Sequence, residues 1–188
     1  MMEGGLDHWL AQCAPQVSAV TMAAIVRVES GGNPLALNIN GPRQLTRQPK
    51  SRDEAVTWAS WLVAQGHSVD MGLAQVNSGN LERLGVSVAQ MYDPCANLAA
   101  GARILTEFYG GAAHRYGEGQ VALQAALSAY NTGNHLKGLR NGYVDKVRLA
   151  AYRPWRPISA ATGDLPSWSA EAGVPRQPMV HWARRPGS

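Results

Sequence analysis

Glu29-Ser30-Gly31-Gly32-Asn33-Pro34 closes the most apolar stretch of the chain, Val17 to Val28, and the rest is read outward from it. The segment from about Ser18 to Ser30 predicts a helix, because Val20, Ala24 and Val28 share one stripe and Pro34 bars continuation. Ser18, Thr21 and Arg27 interrupt it, so it falls short of the roughly 18 apolar residues that a membrane span needs. A carboxylate in the last turn of such a helix sits among carbonyl ends that disfavour negative charge by a few tenths to about 1 kcal/mol. If it faces inward, Ile25, Val26 and Val28 desolvate it further. Both effects raise a carboxyl pKa, as a general acid working near neutral pH requires. An exposed glutamate on a frayed helix end is the plainer alternative.

The surrounding chain reads as mostly helical up to about residue 152. Further helices are expected over about Leu6 to Gln12, Ser78 to Leu84, Gln120 to Tyr130 and Tyr143 to Tyr152. Ser51-Arg52-Asp53-Glu54 is a capping box that opens a helix ending near Gln65, with Gly66 as its stop. Asp93-Pro94 pairs an N-cap with proline at the first helical position, and that helix is expected to run to about Tyr109. Between the second and third helices, Asn38-Ile39-Asn40-Gly41-Pro42 is turn-rich and predicts a small hairpin or loop. The expected fold is therefore mainly α, with one domain over 1–152. Six of the 11 prolines lie beyond residue 153, and 153–188 reads as a Pro-rich extended or disordered tail. Its Trp155, Trp168 and Trp182 are candidate docking anchors for a partner, or else pack back on the domain.

Composition narrows the function. The chain has 188 residues, 45% of them hydrophobic and 16% charged, with 17 Lys plus Arg against 13 Asp plus Glu. The net charge of +4 and pI near 9.3 suit a polyanionic partner, but no basic run argues for nucleic acid. The five histidines have no metal-ligand spacing, Gly31-Gly32 and Gly110-Gly111 match no phosphate loop, and no GxSxG occurs. No metal and no cofactor is expected. Cys13 and Cys95 are either two buried thiols or one disulfide formed in an oxidising compartment. Met1 to Asp7 lacks a basic n-region and an apolar h-region, so no export signal is visible.

Two more segments carry neutral hydrogen-bonding side chains at element ends, where clefts form. They are Gly72-Leu73-Ala74-Gln75-Val76-Asn77 and Ala129-Tyr130-Asn131-Thr132-Gly133. In order and spacing with the Glu29 segment, and with Gly142-Tyr143-Val144, they resemble the signature of the lysozyme-like soluble lytic transglycosylase (SLT) domain over about residues 8 to 152. Arg47 to Ala55, Gly66 to Leu73 and Tyr92-Asp93-Pro94-Cys95 are similar to the subgroup that serves type IV secretion and conjugation systems.

The resemblance implies cleavage of the β-1,4 bond between N-acetylmuramic acid and N-acetylglucosamine in peptidoglycan, with a 1,6-anhydro product. It implies Glu29 as the single acid/base, and Ser30, Gln75, Asn77, Tyr130, Asn131 and Tyr143 as substrate-binding or positioning residues. Tyr143 is expected to hold Glu29. Ala74 stands where many members carry Met. The resemblance also favours pairing of Cys13 with Cys95. It implies glycan strands as substrate, channel components as partners of the tail, and a periplasmic location, the start lying downstream of an export signal or another route being used. A hydrolase on the same scaffold, and a non-catalytic wall-binding module, are the competing readings.

Overall fold

The structure, a computed structural model, describes residues 5–152 and the backbone of 182–184. Its centre is the apolar helix α2 (Ala19–Glu29), in which Met22, Ala24, Ile25 and Val26 have no exposed surface. Each of the larger side chains contributes roughly 1.5–3 kcal/mol through burial. In front of it α1 (Leu6–Cys13) buries Leu6, Leu10 and Cys13. Cys13 forms a disulfide with Cys95 at a sequence separation of 82. After Gly31-Gly32 the chain enters a small strand region: β1 (Leu37–Ile39) and β2 (Arg43–Leu45), then α3 (Arg52–Ala64), then β3 (Val69–Met71) and β4 (Val76–Asn77).

β1, β3 and β4 form an antiparallel sheet with β3 in the middle, pairing Asn38 with Asp70 and Asp70 with Asn77. Opposed residues in such a ladder share a face. The face bearing Leu37, Ile39, Val69, Met71 and Val76 is buried, and the face bearing Asn38, Asp70 and Asn77 is polar and more open. Of the segment 38–42, Asn38 and Ile39 belong to β1, and 40–42 form the turn that leads to β2, a strand with a different partner. β2 pairs not with β1 but with β5 (Trp182–Arg184), Gln44 lying opposite Ala183. That pairing brings a short piece of the 153–188 segment onto the domain. The rest of that segment, with Trp155 and Trp168, lies outside the described residues.

The second half is helical: a 3-10 turn (Ser78–Asn80) running into α4 (Leu81–Leu84), a second 3-10 turn (Gln90–Tyr92), then α5 (Pro94–Tyr116), α6 (Gln120–Thr132), α7 (Lys137–Arg140) and α8 (Tyr143–Ala151). Local signals act as expected at several ends. The Ser51 hydroxyl accepts from Glu54 N at 3.2 Å, and Asp93 accepts from Ala96 N at 2.8 Å. The reciprocal half of the Ser51 box is not made. Glu54 instead accepts from Lys50 N at 2.7 Å and takes a two-pronged bond from Arg47, whose guanidinium also lies 4.5 Å from the Trp58 ring. α5 runs seven residues past the expected end at Tyr109. It crosses Gly110-Gly111 because Ala112 packs with Ala122 and Ala125 of α6 in a second small cluster. α7 is too short to have left a periodic signal.

Candidate active site

Glu29 is the last residue of α2, and its carboxyl faces a cleft of about 430 Å³. Asn38, Ile39, Asn40, Gln44, Leu45, Gln48, Asp70 and Gln75 complete the lining. Only Ile39 and Leu45 among them are apolar, so the walls offer amides and carboxylates rather than a greasy slot.

Burial pushes the Glu29 carboxyl up to about 7, and the Asp70 charge adds to this, while the hydrogen bond from Tyr143 opposes it. The Tyr143 hydroxyl donates to Glu29 Oε1 at 2.5 Å. Burial first, and the neighbouring Glu29 second, lift the Tyr143 phenol far above its ordinary range, so it stays a donor. Tyr143 is itself fixed. Its N–H donates to Asn141 Oδ1 at 3.0 Å, and Asn141 Nδ2 donates to Asn131 Oδ1 at 3.0 Å. Arg27 donates to the Ala150 carbonyl, tying α8 back onto the helix that bears Glu29.

Gly72 to Gln75 forms a tight loop behind the cleft, pinned by side chains from three helices. The Ser30 hydroxyl donates to Leu73 O at 2.7 Å, and the Tyr130 hydroxyl donates to Ala74 O at 2.7 Å. The buried Asn97 amide accepts from Ala74 N at 2.8 Å and donates to Met71 O and Met91 O at 2.8 and 2.9 Å. Two glycines permit this closeness. At Gly72, with φ +72°, a Cβ would lie 2.4 Å from Met91 O, and at Gly101 it would lie 2.6 Å from Ala74 Cβ and 3.0 Å from Tyr130 Oη. Gln75 has a positive φ of 48°, a left-handed conformation that costs a non-glycine residue roughly 1 kcal/mol. Its amide offsets that by donating to Gly72 O and Ala36 O and accepting from Asn38 Nδ2 at 2.6 Å.

The residues picked out in the sequence thus converge on one place, with their polar atoms largely turned toward protein. Glu29 and Gln75 line the cleft itself. Ser30 and Tyr130 hold the loop, and Asn131 supports the start of α8 through Asn141. Asn77 donates to Asp70 Oδ1 at 2.7 Å and accepts from Gly79 N at 2.9 Å. Sequence reasoning missed Asp70, Asn97 and the cleft amides Asn38, Asn40, Gln44 and Gln48. The period-2 runs Leu37-Asn38-Ile39 and Val69-Asp70-Met71 were the available signal for the sheet's polar face. Ala74 has no exposed surface, so the position where methionine was the expectation lies inside the fold. Among the described residues, no group of three or more His, Cys, Asp or Glu is arranged to hold a metal ion, and no helix is long and apolar enough to cross a membrane.

The family model "Transglycosylase SLT domain" matches residues 10–148. The chain is 46% identical over 154 residues to the type IV secretion system protein virB1 of Brucella suis biovar 1, covering 79% of this chain and 64% of that protein. It is 40% identical over 145 residues to protein virB1 of Rhizobium radiobacter (77% and 60%), and 35% identical over 158 residues to protein virB1 of Agrobacterium fabrum (84% and 64%). The chain therefore spans under two thirds of the length of these curated relatives. No solved structure matches it.

Proposed function

The chain belongs to the SLT transglycosylase domain family, and from that premise we propose that it is a peptidoglycan lytic transglycosylase with Glu29 as its only acid and base. One observation carries this reading: a carboxyl gripped by Tyr143 on the wall of a polar cleft, where desolvation pushes it up to about 7. At neutral pH a large fraction of Glu29 is protonated, which an ordinary glutamate is not. It donates its proton to the glycosidic oxygen between N-acetylmuramic acid and N-acetylglucosamine. The C1–O bond breaks, and positive charge develops at C1 and the ring oxygen. The substrate's own acetamido oxygen offsets that charge, the substrate-assisted variant of glycoside cleavage. Glu29, now a carboxylate, accepts the proton of the C6 hydroxyl as that oxygen closes on C1 to form the 1,6-anhydro ring. The proton lost in the first step is regained in the second, and no water is consumed.

Tyr143 holds Glu29 in one rotamer for both steps. Gln75 and the amides of Asn38, Asn40, Gln44 and Gln48 meet the acetamido and hydroxyl groups. Ser30, Asn77, Tyr130 and Asn131 act from behind, keeping the loop, the sheet and the start of α8 in register. The relatives named as type IV secretion system proteins support a role in opening the wall locally for a secretion or conjugation channel, in the periplasm. The disulfide fits that oxidising compartment. Partner contacts through the 153–188 segment belong to the same proposal.

A hydrolase on this scaffold is the second reading, favoured by the second carboxylate in the cleft, Asp70. Mass analysis of soluble products from purified sacculi separates the two. Anhydro-muropeptides from the wild type and none from Glu29→Gln are expected. Products one water heavier mean a hydrolase, and undiminished release by Glu29→Gln means that Glu29 is not the acid.

A further inference from the structure

The outer edge of β1 carries a binding position that the proposed sugar contacts leave unused. Where β1 meets β3, Gly72 N donates to Ala36 O at 2.8 Å and Asn40 N donates to Ser68 O at 2.9 Å. Antiparallel pairing alternates, so the backbone groups of Ala36, Asn38 and Asn40 turn toward β3 while those of Leu37 and Ile39 turn away from it. β1 is the outer strand of its sheet, and β2, the next strand along the chain, pairs with β5 instead. At Leu37 the outward pair is filled. Gln48 Oε1 accepts from Leu37 N at 2.8 Å and Gln48 Nε2 donates to Leu37 O at 3.0 Å, so one side-chain carboxamide closes the edge as a neighbouring strand would. At Ile39 the same outward pair has no partner among the described residues. The Ile39 side chain belongs to the core, so what Ile39 adds to the cleft wall is its backbone edge. At a residue only 4% exposed, an unmet N–H and C=O are costly to leave open.

The arrangement selects its ligand. Filling both groups at once takes a donor and an acceptor on the same side of one ligand. The acetamido groups of the sugars are trans secondary amides, whose N–H and C=O point in opposite directions, so each meets one of the two groups and not both. A residue of an extended peptide carries its N–H and C=O on one side, which is how an added strand binds a sheet edge.

The geometry points to Ile39 as the place where the peptide stem of the glycan docks, one extended stem residue adding to the free edge of β1 through two main-chain hydrogen bonds. This rests on the proposed glycan cleavage and deepens it, because it names a part of the substrate recognised outside the sugars. The stem hangs from the lactyl group of N-acetylmuramic acid, the sugar whose C1–O bond Glu29 breaks, and Ile39 lines the same cleft as Glu29. The Ile39 N–H donates to the carbonyl of a stem residue, and the Ile39 carbonyl accepts from the N–H of that same residue. The contact reads backbone and no side chain, so it separates peptide-bearing strands from bare ones. Gln48, by closing Leu37, sets where along the edge the stem docks.

The test uses the full chain and glycan strands of one length, either with their stem peptides or after an amidase has removed them. Ile39 is replaced by its 2-hydroxy acid analogue, which keeps the side chain and puts an ester oxygen where the N–H stood. The expected result is kcat/KM lower by roughly fivefold on peptide-bearing strands, the worth of one hydrogen bond, and within about twofold of wild type on bare strands. Equal losses on both substrates, or no loss on either, overturn the inference. A second measurement leaves residue 39 unaltered: hydrogen exchange of the Ile39 N–H is followed by magnetic resonance in Glu29→Gln, which leaves the strands uncut. Peptide-bearing strands should slow that exchange and bare strands should not; the same effect from both, or none from either, overturns the docking position. If wild-type products carry an added water, the transglycosylase reading fails while the Ile39 result stands, and if neither kind of strand binds, both readings fall.

Discussion

Replacing Glu29 by glutamine should stabilise the protein, and by an amount that depends on pH. The carboxyl titrates near 4.5 in the unfolded chain and at about 7 in the fold, chiefly because burial penalises its charge. A raised folded value means that the native state holds the proton more tightly. Ionisation therefore costs nothing below the unfolded value, an increasing amount between the two, and its full amount above about 7. The gap between the two values corresponds to roughly 3 kcal/mol at 1.36 kcal/mol per tenfold change in proton affinity. Glutamine has nearly the same shape, still accepts the Tyr143 hydrogen bond and never ionises. For a domain of about 150 residues, 1 kcal/mol is worth roughly 2–4 °C in Tm, so Glu29→Gln should melt roughly 6–12 °C above wild type at pH 8. At pH 4 the two should melt together. Calorimetric or fluorescence melts at several pH values measure this directly. A Tm difference that is the same at pH 4 and pH 8 would refute the claim that Glu29 is held protonated by its surroundings.

Four other outcomes follow from the structure. Tyr143→Phe removes the one hydrogen bond that favours the ionised form of Glu29, so the basic limb of the kcat/KM profile should move up in pH while kcat falls; an unmoved limb argues against the contact. Reduction of Cys13–Cys95, or Cys13→Ser with Cys95→Ser, opens a link across 82 residues and should cost roughly 4 kcal/mol in a denaturant titration on the chain-entropy estimate. Tyr92 is fully buried, and its hydroxyl has no partner among the described residues; Tyr92→Phe should leave the unfolding free energy from a denaturant titration unchanged or raise it by up to about 1 kcal/mol, and a marked loss would reveal a partner for that hydroxyl. Truncation after Tyr152 removes β5 from β2, whose Gln44 and Leu45 line the cleft, so KM should rise with kcat little changed; a collapse of kcat would make the C-terminal segment part of the catalytic fold.

Much of the scaffold was legible because its signals are local. Ser51 and Asp93 cap where their short side chains reach the next turn. Gly85 and Gly133 stop helices in the left-handed conformation. Glu29 was legible for a different reason: a charged group at the end of an apolar helix is conspicuous against its neighbours. What stayed hidden was set by tertiary contacts. The last turns of α5 persist through two glycines because of alanine packing with α6, which no window of sequence contains. Asp70 looked like one polar residue between Val69 and Met71. Only the pairing of three strands aligns it with Asn38 and Asn77 on the face that lines the cleft. Asn97 lay inside a helix that reads as continuous, and only its three hydrogen bonds to the 71–74 and 91 backbone reveal why an amide is buried there. Ser30, Gln75 and Tyr130 stood out in the sequence as candidates, but their backbone partners did not, because the Gly72 to Gln75 loop has to be folded before its carbonyls have positions.

The central claim is that Glu29 keeps its proton close to neutrality in a cleft built for sugars, and direct titration of that one carboxyl tests it most simply. Carbon-detected magnetic resonance of the full chain, with the Glu29 signal assigned by its loss in Glu29→Gln, should give a midpoint of about 7. A midpoint near 4.5, the value of a glutamate in open water, would contradict it.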